Sequence, residues 1–274
     1  MRQPVGRAAA ALVGSCHPQP TVAVTALTTA IAVAAGRGGA SALVGLAVLS
    51  GQLSIGWSND VLDVRRDRAA GRSDKPVASG VVSDRAVGLA ALAAAAICVP
   101  LSLASGLLAG PAHLVGVACG WAYNLGLKRT LVSPLPFAVA FGLLPAFVTL
   151  GLEGQPWPHW WVLTAGALLG TGAHFLNVVP DIEADRAAGI QGLPQRVGAR
   201  AARAVGAVLL AGAAVAVTLG PGDPGALGWL GLAAAVALGT AAALAPRGRL
   251  PFALALGVAA LDVVLLVAHG SALA

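Results

Sequence analysis

Two acidic runs far apart in the chain carry the residues best suited to chemistry. The first reads Ser58-Asn59-Asp60-Val61-Leu62-Asp63-Val64-Arg65-Arg66-Asp67. Steps of four join Asn59 to Asp63 and Asp63 to Asp67, and a step of three joins Asp60 to Asp63, so on a helix these side chains share one face. The second reads Asp181-Ile182-Glu183-Ala184-Asp185, again with carboxylates four apart. Continued backwards, that face adds Asn177 and His174, which predicts a polar stripe from the interior to one surface. Like charges at these spacings repel unless something neutralises them. Pairing with Arg65, Arg66 or Arg68 is one way; a divalent cation is another. Sets of carboxylate and amide oxygens suit Mg²⁺, which keeps part of its hydration and is usually held by one or two carboxylates together with phosphate oxygens.

The elements that must position these runs are membrane helices. The 274 residues are 57% hydrophobic and 10% charged, with a mean hydropathy of +0.82. A soluble domain carries about 25% charged residues, so this chain lacks the polar surface for water, and its 36 glycines show no collagen-like period. Nine apolar stretches are long enough to be spans, at about 20–36, 41–58, 86–104, 107–126, 136–152, 160–179, 202–219, 225–244 and 251–269. Arg2 and Arg7 precede an Ala-rich patch that reads as an interfacial helix rather than a cleaved leader. The expectation is an all-α polytopic membrane protein, one domain over residues 1–274.

Charge orients it. With the N-terminus inside, the N-terminal tail and the loops at about 59–85, 127–135, 180–201 and 245–250 hold 15 of the 17 Lys and Arg residues, Arg203 adjoins one of them, and Arg37 lies opposite. The positive-inside rule then predicts a cytoplasmic N-terminus and an external C-terminus. The same inner loops hold eight of the eleven acidic residues, so both runs lie on one side of the membrane. Two acidic runs with basic residues nearby point to a diphosphate held through metal ions. The net charge of +6 does not read as nucleic-acid binding, because the cations sit in short loops without an aromatic-interleaved groove. Trp157, Trp160 and Trp161 read as an aromatic anchor on the outer side. Cys16, Cys98 and Cys119 have no metal or disulfide spacing. Asp262 falls inside the ninth stretch, where an ionisable group is expected to face a cavity.

The segment from Asn59 to Gly80, NDVLDVRRDRAAGRSDKPVASG, resembles the first motif of the UbiA-type intramembrane prenyltransferases. The segment from Asp181 to Gly198, DIEADRAAGIQGLPQRVG, resembles their second, and Tyr123-Asn124-Leu125-Gly126-Leu127-Lys128 is similar to their Tyr…Leu-Lys segment. The resemblance implies nine helices around a central cavity capped by cytoplasmic loops. It implies Mg²⁺ as cofactor, ligated by Asn59, Asp60, Asp63, Asp67, Asp181 and Asp185, with Asp60, Asp63, Asp181 and Asp185 as the catalytic set. It further implies diphosphate binding by Asn59 and Lys128, with Arg68 and Lys75 as additional contacts. Gln191-Gly192 departs from the basic or hydroxyl residue many members carry there. The reaction implied is ionisation of an isoprenoid diphosphate to an allylic cation and capture by an aromatic or other lipophilic acceptor, among membrane lipid, with no nucleic acid and no obligate protein partner. Trp57, Trp121, Tyr123 and Phe175 lie near the inner ends and could face the cation. A membrane terpene cyclase would share the metal site. A secondary transporter would place its charges near the bilayer midplane, and a CDP-alcohol phosphotransferase would need glycine where Val64 stands.

Overall fold

A computed structural model describes residues 5–245, 248–268 and 273. Arg2 and Arg247, which the orientation count uses, and position 269 at the end of the ninth stretch lie outside these. Among the described residues there are twelve α-helices and no strand: α1 (Val5–Gly14), α2 (Pro18–Ala34), α3 (Ala40–Ala69), α4 (Asp84–Ala104), α5 (Ala109–Leu125), α6 (Leu135–Thr149), α7 (Trp160–Val178), α8 (Ile182–Ala187), α9 (Leu193–Val197), α10 (Ala199–Leu219), α11 (Gly225–Leu244) and α12 (Leu250–Ala268). Two 3-10 turns, Leu127–Arg129 and Val179–Asp181, follow α5 and α7. Each of the nine apolar stretches lies on a helix. Six helices are long and apolar enough to cross a membrane, and α2 and α6 are shorter apolar helices.

Local signals explain several boundaries. The Ser83 hydroxyl accepts from the Ala86 N–H at 3.2 Å and Asp84 occupies the first turn, so α4 begins with a side-chain cap and a favourable charge. Pro18 opens α2, where its missing N–H costs nothing. Pro100 and Pro145 sit inside α4 and α6, a placement helices tolerate in a packed membrane bundle.

The helices pack in chain order, with α7 against α10 and α12 returning onto α7 and α2, which closes a ring. Leu89, Leu92 and Ile97 of α4 are 60%, 59% and 55% exposed, and such an apolar outer surface belongs in lipid rather than water. The expected tryptophan anchor is only partly present. Trp157 and Trp160 are 62% and 72% exposed, but Trp161 is 4% exposed and packs in the core with Val217 and Leu265. The three cysteines are free.

One end of this bundle collects the loops that matter. Helix α3 runs past the predicted end of its span to Ala69, so the first acidic run is helical. α1 lies against that extension. The Trp57 indole donates to the Leu12 carbonyl at 2.9 Å, and a Cβ on Gly56 would sit 2.3 Å from the Cys16 carbonyl oxygen. Only glycine permits that approach, which carries His17 to the head of the acidic run.

Candidate active site

Asp60, Asp63 and Asp67 project from one face of α3 and are 3%, 4% and 2% exposed. Three buried carboxylates on a helix face require counter-charge, and three cations and one histidine meet them. The loop after α3 folds back and places Lys75 Nζ 3.1 Å from Asp60 Oδ1 and 2.8 Å from Asp67 Oδ2. His17 Nε2 lies 3.3 Å from the same Asp60 oxygen. Lys128, on the 3-10 turn after α5, donates to Asp63 Oδ1. Arg66 Nη2 donates to Asp63 Oδ2 at 2.9 Å and to Asp67 Oδ1 at 3.3 Å.

The second run faces this group. Arg66 Nη1 lies 3.9 Å from Asp185 Oδ1, and Arg72 Nη1 donates to Asp181 Oδ1 at 3.1 Å. Arg66 of the first run and Arg72 of the loop that follows it therefore reach the two carboxylates at the ends of the second. Gln195 Nε2 donates to Asp185 Oδ2 at 2.9 Å, and Arg186 ties the following loop down through the Gln195 and Arg196 carbonyls. The loop carrying Lys128 docks on that tail. Ser133 Oγ accepts from the Leu193 N–H at 3.1 Å, and a Cβ on Gly192 would meet the Lys128 carbonyl oxygen at 2.6 Å. The departure at Gln191-Gly192 is thus a close approach between the two loops.

Charge and burial compete differently at the two lysines. Burial alone would lower the Lys75 ammonium, but Asp60 and Asp67 outweigh it and hold Lys75 above the usual lysine value. At Lys128 burial wins over the attraction of Asp63, and the group is held below that value. Lys128 is thus the less comfortable cation, 5% exposed.

The structure also redistributes the predicted roles. Asn59 Nδ2 donates to Asn124 Oδ1 at 3.0 Å, and Asn124 Nδ2 donates to the Ile55 carbonyl and Ser58 Oγ, both at 2.8 Å. This amide network joins α5 to α3 beside the carboxylates. Arg68 is exposed and braces its own loop through the Val77 carbonyl at 3.4 Å. Arg66 is the member of the arginine group that pairs with the run. On α7 His174 is 1% exposed and Asn177, one turn nearer the acidic end, is exposed. Both lie on unbroken α7; the interruption comes after Asn177, where Pro180 and the 3-10 turn Val179–Asp181 separate it from Asp181. Asp262 is 2% exposed, and neither carboxyl oxygen has a hydrogen-bond partner, so it is enclosed rather than open to a cavity. His17, Arg72, Asn124 and Gln195 join the site without having been singled out. Arg72 and Gln195 lie inside the two motif segments, so their positions were readable; His17 has no spacing signal.

Beneath the charged cap, α3, α5 and α6 enclose an apolar chamber whose walls include Ile55, Gly120, Phe137 and Ala140, with Tyr123 toward the cap. The Tyr123 ring meets Phe137 edge-on at 5.0 Å and His174 at 5.4 Å, and Tyr123 lies within electrostatic reach of Asp63 and Asp185. Trp121 is anchored by its Nε1, which donates to Ser54 Oγ at 3.2 Å. The other two aromatic candidates serve packing. Trp57 packs against the cluster of Val64, Val77 and Val87, and Phe175, 3% exposed, packs with Val179, Ile182 and Ala202.

As a metal site the donor set fits Mg²⁺ chemistry. It is all oxygen, and among the described residues the buried Asp60 Oδ1 and Asp67 Oδ2 have no hydrogen-bond partner and face Lys75, with His17 also beside Asp60. Among the described residues no three His, Cys, Asp or Glu residues gather closely enough to hold an ion by themselves. A cation here would complete its coordination with substrate oxygens and water, as Mg²⁺ commonly does.

A family model described as the UbiA prenyltransferase family matches residues 19–250. The 33 kDa chain of bacteriochlorophyll synthase from Cereibacter sphaeroides is 30% identical over 191 residues, 62% of this chain and 59% of that protein, so the chain spans less than two thirds of its length. Digeranylgeranylglyceryl phosphate synthase from Halobacterium salinarum is 35% identical over 237 residues, 80% of each chain. Among solved structures, a UbiA homologue from Archaeoglobus fulgidus bound to GPP and Mg²⁺ superposes with a TM-score of 0.71 at 18% identity, over 94% of this chain and 99% of that one. An apo UbiA homologue from Aeropyrum pernix gives 0.73 at 20% identity, over 91% and 98%.

Proposed function

Because the chain belongs to the UbiA prenyltransferase family, we propose that it transfers a prenyl group from an isoprenoid diphosphate to a lipophilic acceptor in a Mg²⁺-dependent reaction. One observation carries this reading. Two acidic runs meet at one end of an apolar bundle, interleaved with Lys75, Lys128, Arg66 and Arg72, directly above an apolar chamber. An isoprenoid diphosphate has the same division, a multiply charged head and a hydrocarbon tail.

Asp60, Asp63, Asp67, Asp181 and Asp185 would hold Mg²⁺ with the diphosphate, and Asn59 stands beside them. Bound there, the cation would neutralise the leaving group as a Lewis acid. Lys128 and Lys75 would add ammonium contacts to the same oxygens, and Arg66 and Arg72 are placed to exchange carboxylate for phosphate. The tail would lie in the chamber. The C1–O bond breaks with its electron pair leaving on the diphosphate, and the allylic cation forms next to Tyr123, whose ring face stabilises positive charge. The apolar walls keep water from it. The acceptor then bonds to C1 and loses a proton. The names of the two relatives point to different acceptors, so lipophilic character is what this reading retains.

The same reading takes all nine long helices as spans of a single domain over residues 1–274, in the plasma membrane. The N-terminus and the acidic loops would be cytoplasmic, supported by the clustering of Lys and Arg at that end.

The test is incubation of detergent-purified protein with labelled prenyl diphosphates and a native lipid extract, with and without Mg²⁺, read by mass spectrometry. Mg²⁺-dependent release of diphosphate with a prenylated lipid is expected. No release with any donor would overturn the reading, and labelled hydrocarbon formed without acceptor would identify a cyclase instead.

A further inference from the structure

The chamber under Tyr123 does not stay apolar to its end. Its far end is lined by Gln52 of α3 and His113 of α5. His113 is fixed on two sides: its ring stacks on Phe147 with centroids 4.5 Å apart, and Nδ1 lies 2.8 Å from Ser102 Oγ. The Ser102 hydroxyl spends its single hydrogen on the Cys98 carbonyl at 2.6 Å. The proton in the Ser102–His113 contact therefore sits on His113 Nδ1, which leaves Nε2 as an acceptor with a lone pair. That edge of the ring packs toward Gly51, where an added Cβ would lie 3.4 Å from Nε2 and Cε1 and 2.9 Å from Val117 Cγ2. Glycine at position 51 keeps any side chain off that edge, and His113 and Gln52 both line the chamber.

Depth follows from helix geometry. Tyr123 and His113 are ten residues apart on α5, which at the rise of an α-helix is about 15 Å. That length takes a tail of about three isoprene units between the cation position and the imidazole.

We propose that His113, together with Gln52, is the length stop for the prenyl chain, accepting tails that end short of the imidazole and rejecting longer ones. The inference rests on the prenyl-transfer reading and names its donor class. A hydrocarbon tip pressed against the Nε2 lone pair and the Gln52 amide strips their solvation and returns no hydrogen bond. Phe147, behind the ring, blocks the way past it. Shorter tails leave room that water can occupy against the two polar groups.

The experiment uses non-ionising thiolodiphosphate analogues of the geranyl, farnesyl and geranylgeranyl donors, bound with Mg²⁺ to the purified protein in detergent. His113→Ala opens the floor, and Gln52→Leu removes the amide from the other helix at nearly constant volume. The wild type is expected to hold the farnesyl analogue about tenfold tighter than the geranylgeranyl one, and each variant to narrow that gap by about tenfold. Geranyl affinity should stay within about twofold, which shows that the variants are folded and that the charged cap is intact. Equal affinity of the wild type for all three tails, or equal changes across the three in both variants, would overturn the length stop and leave prenyl transfer standing. Failure of the wild type to bind any analogue would overturn the underlying reading itself.

Discussion

Arg66 stands between the two acidic runs: its Nη2 donates to Asp63 at 2.9 Å while its Nη1 lies 3.9 Å from Asp185. One guanidinium thus spans carboxylates that belong to distant parts of the chain. Lys75 does the same within the first run, between Asp60 and Asp67. Side chains of this protein supply the positive charge that a metal–diphosphate head would bring. The acidic face can therefore fold before substrate arrives, at the cost of exchanging partners when it does.

Removing that bridge should reveal the exchange. In Arg66→Gln, Asp63 keeps Lys128 but loses the link toward Asp185. Arg66 is only 24% exposed, so the loss should cost about 1–3 kcal/mol, below the figure for a fully buried pair. Thermal unfolding in detergent should show a lower midpoint than wild type and a larger upward shift on adding Mg²⁺. An identical Mg²⁺ shift in both proteins would mean that Arg66 and the cation do not compete for the same oxygens.

Under the prenyl-transfer reading, Lys128 is a direct contact of the diphosphate. It is 5% exposed and held below the ordinary lysine value by burial. Lys128→Met should lower kcat/KM for diphosphate release about 10²–10³-fold, the range for one preorganised charge donor. Asp63 keeps Arg66, so the protein should still purify as a folded species. Turnover close to wild type would remove Lys128 from the head-group contacts.

Much of this site was legible because helices repeat. Spacings of three and four put Asp60, Asp63 and Asp67 on one face, and α3 continues as a helix far enough to keep them there. The same arithmetic favours Arg66, three residues after Asp63, over Arg68, which falls off that face and braces a loop instead. Two features escaped. The stripe from Asn177 to Asp181 assumed an unbroken helix, but Pro180 and the 3-10 turn Val179–Asp181 fall between them. His17 reaches Asp60 only because Gly56 lets α3 touch the Cys16 carbonyl, a long-range contact that no local spacing encodes. Aromatic roles were the least readable, since Trp57 and Phe175 differ from Tyr123 only in which neighbour they face.

Gly192 should be intolerant of even a methyl group. A Cβ there would lie 2.6 Å from the Lys128 carbonyl oxygen and 2.9 Å from Ser133 Oγ, neither of which is a free side-chain end. Gly192→Ala must push the two loops apart and stretch the Leu193 N–H bond to Ser133. Overpacking of this kind costs about 1–3 kcal/mol. The functional signature should be larger: displacing the turn that carries Lys128 should weaken Mg²⁺-dependent binding of a prenyl thiolodiphosphate about tenfold or more. Unchanged affinity would show that the loop contact does not position Lys128.

The two acidic runs should separate cleanly by what their loss does to the fold. Asp63 is 4% exposed and is the partner of both Lys128 and Arg66. Asp63→Asn leaves a buried ammonium without its carboxylate, which costs about 3–5 kcal/mol. The Asp181 side chain is 46% exposed and its 3.1 Å pair with Arg72 is open to solvent, so Asp181→Asn should cost no more than about 1 kcal/mol. Both carboxylates belong to the proposed diphosphate site, so both variants should lose Mg²⁺-dependent diphosphate release by at least about 10²-fold. Asp181→Asn is the decisive variant, because its unfolding midpoint should match wild type while its turnover does not. Diphosphate release at the wild-type rate in Asp181→Asn would confine the chemistry to α3 and overturn the two-run site.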